Sequence, residues 1–278
     1  MKTILVPTDL SPMTDIALSV AVNLARTNGG EIILLHSVIY PMPVPTPVYA
    51  EALTVVTENT LSTYRLLEED AREILEQLAT NPAYAGVTIT PTLITNGQPL
   101  VDNVTTRPAD LIVMSSKGAD GLEEWLIGSN AEVIVRYAHC PVLVVKHATP
   151  HFQPQNIVCA IDLDDRLKSI YHFPFQMGEN GLHQFLYVMT PSDNRDPEGV
   201  REWVDEFADA KGITAFEFVI HHAKTVPQGV IDYANDVEAD LIVLFTHGHK
   251  GFLHLLTGSV AEDVLNHTQI PVLVMRAG

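Results

Sequence analysis

Positive charge is scarce in this chain. Only 16 Lys and Arg stand against 34 Asp and Glu among 278 residues, a formal net charge of −18. Polyanions are held by basic footprints, so nucleic acid and anionic membrane surfaces are excluded as general partners. Cysteine is nearly missing as well. Cys140 and Cys159 alone make no disulfide framework. One precedes an apolar strand and the other lies within one, which argues against reactive thiols. No apolar run approaches the roughly 18 residues of a membrane span. The opening Met-Lys-Thr-Ile-Leu-Val-Pro-Thr-Asp9 lacks the long apolar region and small-residue cleavage site of a signal peptide. A soluble cytoplasmic protein is expected, with no membrane contact.

What the chain does have is repetition. The stretch Ala109 to Lys146 returns as Ala239 to Arg276 without a gap, with about 16 of 38 aligned positions identical. The shared positions include Gly118/Gly248, Gly128/Gly258, Ser129/Ser259 and Pro141/Pro271. A period of that size means a duplicated domain, since solenoid repeats are much shorter. Two domains are therefore expected, residues 1–147 and 156–278, joined by a linker at 148–155 that is short of apolar residues.

Each copy of the repeat reads as strand, glycine loop, helix and strand. Leu111 to Met114 is an unbroken apolar run that suits a parallel strand buried on both faces. Ser129-Asn-Ala-Glu132 and Ser259-Val-Ala-Glu262 have the Ser-x-x-Glu form of a capping box. Glycine before a capped helix start leaves free backbone N–H groups, a potential phosphate site.

Upstream, Lys2 to Pro7 reads as a strand. Ser11-Pro12 has the form of an N-cap with proline at the first helical position. Ile16 to Ala25 has helical spacing, and Gly29-Gly30 ends that helix. Glu31 to Val38 is a second strand, and prolines 41, 43, 45 and 47 form a stiff extended segment. A helix is expected within Asn59 to Ala79, a strand over Val87 to Ile94 and a short helix over Pro99 to Thr106. This order of alternating strands and helices implies an open parallel α/β sheet with helices on both faces. The second copy begins again at Asn156 to Asp162. It carries Pro174 where its first helix belongs, so that helix should be short or broken.

In open α/β sheets, ligands bind beyond the carboxyl ends of strands, where the winding direction reverses. If the first and fourth strands are neighbours there, Asp9 faces the loop from Ser115 to Gly118, and Asp162 the loop from Phe245 to Gly248. An acid across from a glycine loop and a helix start suits a nucleotide.

Over nearly its whole length the chain resembles a tandem universal stress protein. The resemblance rests on Val-Pro-Thr-Asp9, Leu-Leu-His36 and Gly118-x9-Gly128-Ser129 before Pro-Val-Leu-Val-Val145. In the second copy it rests on Ala-Ile-Asp162, Tyr187-Val188, and Gly248-x9-Gly258-Ser259 before Pro-Val-Leu-Val274. It implies two tandem five-stranded parallel sheets of Rossmann-like order 3-2-1-4-5. It also implies binding of ATP, AMP or ADP, with Mg²⁺ as an optional companion. Carried over, the binding residues are Asp9, Ser37, Ser115, Gly118, Gly128, Ser129 and Asn130 in half one. In half two they are Asp162, Val188, Gly248, Gly258, Ser259 and Val260.

The first glycine of the family motif is replaced by Ser115 and by Phe245. Serine still lets a nucleotide approach, whereas phenylalanine must swing aside or fill the ribose position. Asp120, Glu123 and Glu124 in the loop of half one repel phosphates; His247, His249 and Lys250 in half two attract them. Half one is thus the better adenosine pocket and half two the better phosphate loop.

Each of these features also has a purely structural reading. The Gly-Ser pairs can serve only as caps, and the two aspartates can serve only neighbouring N–H groups. Zinc is disfavoured despite His221, His222, His247, His249, His254 and His267. In the implied strand order, His221 and His222 end an edge strand three spacings of about 4.8 Å from the fourth strand, and one ion gathers its ligands at about 2 Å.

No general base, nucleophile or metal triad stands out, so an efficient enzyme is not expected. A weak ATP hydrolase or phosphotransferase, and a nucleotide-free scaffold, stand as alternatives to a nucleotide-binding regulatory protein. Each copy ends in an apolar edge strand, Val142 to Val145 and Val272 to Met275, which invites pairing. The two are expected to meet within one chain as an intramolecular pseudo-dimer, and a homodimer of the full chain stays open.

Overall fold

The computed structural model describes residues 2–40, 50–116, 129–149, 151–169, 173–247 and 260–277. Half one runs β1 (Lys2–Pro7), α1 (Thr14–Asn28), β2 (Gly30–Ser37), α2 (Ala50–Ala79), β3 (Thr88–Ile94), α3 (Leu100–Thr105), β4 (Leu111–Ser115), α4 (Ser129–Tyr137) and β5 (Val142–Val145). Half two runs β6 (Asn156–Ala160), β7 (Leu182–Met189), α5 (Pro197–Lys211), β8 (Phe216–His222), α6 (Val226–Asp236), β9 (Leu241–His247), α7 (Val260–His267) and β10 (Val272–Ala277). All ten strands form one sheet in the order β3-β2-β1-β4-β5-β10-β9-β6-β7-β8. Each half has the expected order 3-2-1-4-5 and is parallel within itself. The two join through antiparallel β5 and β10, with Val144 opposite Val272 and Val142 opposite Val274.

Strand alternation divides the core between the two faces of this sheet. Ile4 and Val6 of β1, with Leu241 and Val243 of β9, turn to the face that carries α1. Leu5, Ile112 and Ile242 turn to the other, beneath residues of α4 and α6. All are essentially sealed from solvent, and each such side chain contributes about 1.5–3 kcal/mol by leaving water.

Helix boundaries depart from the expected ones where turn chemistry intervenes. α1 starts at Thr14, with Met13 at its N-cap and no side-chain cap bond. Ser11 and Pro12 lie in the turn before it, because the Asp9 carboxylate accepts from Ser11 N–H at 3.0 Å and Leu10 is left-handed at φ 64°. Gly29 closes α1 in the left-handed conformation at φ 70°, as expected of a C-terminal glycine. α2 is 30 residues long and begins well before Asn59. The proline-rich segment at 41–47 lies outside the described residues.

Among the described residues, half two has no counterpart of α1. The chain between β6 and β7 makes two short 3₁₀ turns, Asp165–Ser169 and Pro174–Gln176. Phe175 and Gln176 are left-handed, at φ 53° and 51°, a conformation that costs about 1–3 kcal/mol per non-glycine residue. Burial holds this turn in place. Phe175 is 2% exposed and reaches half one, where a Cβ on Gly30 would stand 2.9 Å from its ring. Gly178 follows at φ +72°, so close to Ile157 that any side chain there would clash.

Candidate functional site

β1 lies between β2 and β4, so the chain winds outward from β1 to β2 and β3 and then returns to β4 on the other side. That reversal opens a crevice beyond the carboxyl ends of β1 and β4. On the β1 side, Thr8 N–H extends the ladder to the Leu35 carbonyl at 2.9 Å. The buried Thr8 hydroxyl meets the Thr14 hydroxyl at 2.5 Å and accepts from Leu10 N–H at 2.8 Å. The ring of His36 bonds through Nδ1 to the Thr8 carbonyl at 2.7 Å. Together these contacts hold the Asp9-Leu10 turn, leaving Asp9 exposed at its tip.

The neighbouring positions are polar too. Ser37 is buried, and its Oγ accepts from Asn103 Nδ2 of α3 at 3.0 Å. On the β4 side, Ser115 is half-buried and Ser116 is buried. Ser116 N–H donates to the Val145 carbonyl at 3.2 Å, but its hydroxyl has no hydrogen-bond partner among the described residues. A buried hydroxyl without a partner costs about 1–3 kcal/mol. Asp9, Ser37 and Ser115 are thus brought to one end of the sheet. Thr8, His36, Asn103 and Ser116 join them, and the Ser-Ser pair ending an apolar strand was the sequence signal for the last.

Gly118, Gly128, Gly248, Gly258 and Ser259 lie outside the described residues. α4 opens at Ser129, whose side chain also lies outside them, and Asn130 is exposed. The capping box expected from Ser129 to Glu132 therefore lies outside the described residues. Glu132 pairs with Arg136 one turn on, at 2.6 Å. Val260 opens α7 and packs against the core.

Half two repeats the backbone of the crevice without its chemistry. Ile161 N–H extends to the Leu186 carbonyl at 3.0 Å, and Leu163 after Asp162 is left-handed at φ 62°, matching Leu10 after Asp9. The side chains around that turn differ. Tyr187 takes the place of His36, bonds the Asp193 carboxylate and accepts from Arg195 Nη1 at 2.7 Å. Burial first, and then Asp193, push the Tyr187 hydroxyl above its ordinary pKa. Arg195 and Arg166 both lie in the field of the exposed Asp162 carboxylate. Val188, in the place of Ser37, is buried and offers no polar side-chain atom. Phe245 swings aside into the core, edge-on to Phe207 with ring centroids 5.4 Å apart.

Among the described residues, no three His, Cys, Asp or Glu converge as metal ligands. His221 and His222 end β8, the edge strand, three positions from β9 in the sheet. Burial pushes the Cys140 thiol up to about 12 and the Cys159 thiol higher still, so both are inert thiols at neutral pH. No helix among the described residues is long and apolar enough to cross a membrane.

Comparison with known proteins agrees with this architecture. A solved universal stress protein from Archaeoglobus fulgidus superimposes with a TM-score of 0.72 at 20% identity, covering 99% of this chain and 98% of that one. A universal stress protein of Methanocaldococcus jannaschii is 34% identical over 148 residues, 52% of this chain and 82% of its own length. One from Mycolicibacterium smegmatis is 24% identical over 302 aligned positions, 98% of this chain and 96% of its own. The family model described as "Universal stress protein family" matches residues 1–146 and 184–276. The gap between those segments holds the two 3₁₀ turns that replace a helix, and on both sides of it the chain belongs to the universal stress protein family.

Proposed function

We propose that this protein binds an adenine nucleotide, ATP foremost, in the crevice of half one, and that it acts as a nucleotide-responsive regulatory protein. The observation that carries this reading is the contrast between two equivalent crevices. In half one, Asp9 stands exposed on a fixed turn beside Ser115, and the buried Ser116 hydroxyl has no partner among the described residues. A carboxylate and small hydroxylated residues fit the polar edge of a base and a ribose. In half two, Arg195 and Arg166 place positive charge in the surroundings of Asp162, and Val188 and Phe245 replace polar or small residues.

The phosphates would lie toward the start of α4, where Ser129 and the backbone N–H groups of the first turn attract negative charge. Mg²⁺ would then accompany the phosphates as a companion of the nucleotide. Binding rather than turnover is the activity proposed. The two domains, 1–147 and 156–278 with the linker at 148–155, act together as an intramolecular pseudo-dimer through Val142–Val145 and Val272–Met275.

Ser129→Ala separates a ligand role from a capping role. A charge-assisted hydrogen bond is worth about 1.5–3 kcal/mol, so loss of a phosphate contact should weaken ATP roughly ten-fold or more. Loss of a cap alone costs about 1 kcal/mol of stability and leaves affinity nearly unchanged. ATP affinity and melting temperature measured on the same samples decide between the two. A lowered Tm with unaltered affinity would remove Ser129 from the site.

A further inference from the structure

In half one, α1 covers the sheet face that carries Ile4 and Val6. The 3₁₀ turns in its place in half two leave part of that face open, and a cavity of about 720 Å³ lies there. Its wall is mostly apolar and aromatic, with Phe173, Met177, Phe207, Phe245 and Met275 among its residues. Phe245, the residue that departs from the family motif, therefore becomes part of this wall. A volume of that size lies in the range of small-molecule sites, roughly 300–1,000 Å³.

Two polar groups in the wall are only partly satisfied. Lys211 is half-buried at the end of α5. Its Nζ donates to the Leu167 carbonyl at 2.5 Å and stands 5.0 Å from the Phe207 ring centroid. No carboxylate pairs with it among the described residues. Burial lowers its pKa to about 8, so it is still mostly charged at neutral pH, with donors to spare. His183 is 4% exposed, and its ring stacks on Phe173 at 5.3 Å. Its Nε2 donates to the Gly178 carbonyl at 2.9 Å, which leaves Nδ1 as a buried acceptor with no partner among the described residues. Lys2, at the rim, adds a second cation from half one. The one carboxylate in the lining, Glu179, is exposed. Such a cationic spot is unusual on a chain of net charge −18.

We infer that this cavity binds a small amphiphilic acid, with its apolar body against Phe207, Phe245 and Met275 and its carboxylate on Lys211. An apolar body alone would fill the wall but leave the ammonium without a counter-charge. An amine would set like charges together. A monocarboxylate answers both features of the cavity. This binding site is separate from the crevice of half one, and its occupation does not depend on nucleotide.

The test uses the full chain and decanoate, decanol and decylamine as probes. Trp203 stacks on Phe207 at 5.3 Å, so its fluorescence reports the cavity wall. With Trp125→Phe as background, it is the sole tryptophan. Saturable binding of decanoate is expected, about ten-fold or more tighter than decanol, with decylamine excluded. Lys211→Met should bring decanoate down to the level of decanol and leave decanol unchanged. Ala215→Phe, at an exposed position on the cavity lining, should block both ligands without lowering the melting temperature. The inference is overturned if decanoate does not saturate, if decanol binds as tightly, or if Lys211→Met leaves the preference for the acid intact.

Discussion

Val144→Pro should uncouple the two halves of the molecule. Ile112 N–H donates to the Pro141 carbonyl and Ser116 N–H to the Val145 carbonyl, so the odd-numbered residues of β5 are bonded to β4. The backbone groups of Val142 and Val144 therefore face β10, opposite Val274 and Val272. Proline at 144 removes a donor aimed at β10 and leaves the β4 ladder intact. The ring also meets a strand bonded on both sides, where proline is not accommodated. The cost should be about 3 kcal/mol or more, a large share of the roughly 5–15 kcal/mol that stabilises an ordinary domain. In urea, the midpoint should fall and the single transition should separate into two, one for each half. Val144→Ala, which trims a buried side chain but keeps the N–H, should lower the midpoint and preserve one transition. A Val144→Pro protein that unfolds at the unaltered midpoint would show that the β5–β10 pairing contributes little to stability.

The second large effect concerns the two aspartates. Asp9→Ala should weaken ATP roughly ten- to hundred-fold, the range for losing a hydrogen bond to a charged group. Asp162→Ala should change ATP affinity less than about two-fold, since that carboxylate is already in the field of Arg195 and Arg166. Both carboxylates sit at the surface, so both variants should fold. The bond from Ser11 N–H to Asp9 is worth about 1 kcal/mol, and its loss should show as a small decrease in Tm. Equal losses of affinity in the two variants would contradict the asymmetry of the halves.

The residues that could be read in advance are those whose neighbours are close in sequence or fixed by strand period. Leu111 to Met114 and Val142 to Val145 are unbroken apolar runs, and both are strands buried on both faces. The alternation of strands and helices announces a parallel sheet, while its 3-2-1-4-5 order, and with it the placement of Asp9 across from Ser115, comes from the family resemblance. Pro174 correctly marked the loss of a helix in half two.

What could not be read depends on distant partners or on competing local bonds. Ser11-Pro12 has the form of a helix start, but the Asp9 carboxylate captures Ser11 N–H and the helix begins at Thr14. Asp193 and Arg195 belong to the segment between β7 and α5, and nothing in their spacing announces that they gather on Tyr187 beside Asp162. Phe245 had two open rotations, and only the position of Phe207 on α5 decides between them. The cavity next to it exists because a helix is absent while the elements around that gap remain.

The most direct test of a single nucleotide site is the stoichiometry of ATP on the full chain, measured by calorimetric titration with Mg²⁺ present and repeated without it. One ATP per chain is expected, bound roughly ten- to hundred-fold more weakly in Asp9→Ala and with nearly unchanged affinity in Asp162→Ala. No bound nucleotide at millimolar ATP, or two equivalent sites per chain, would contradict it.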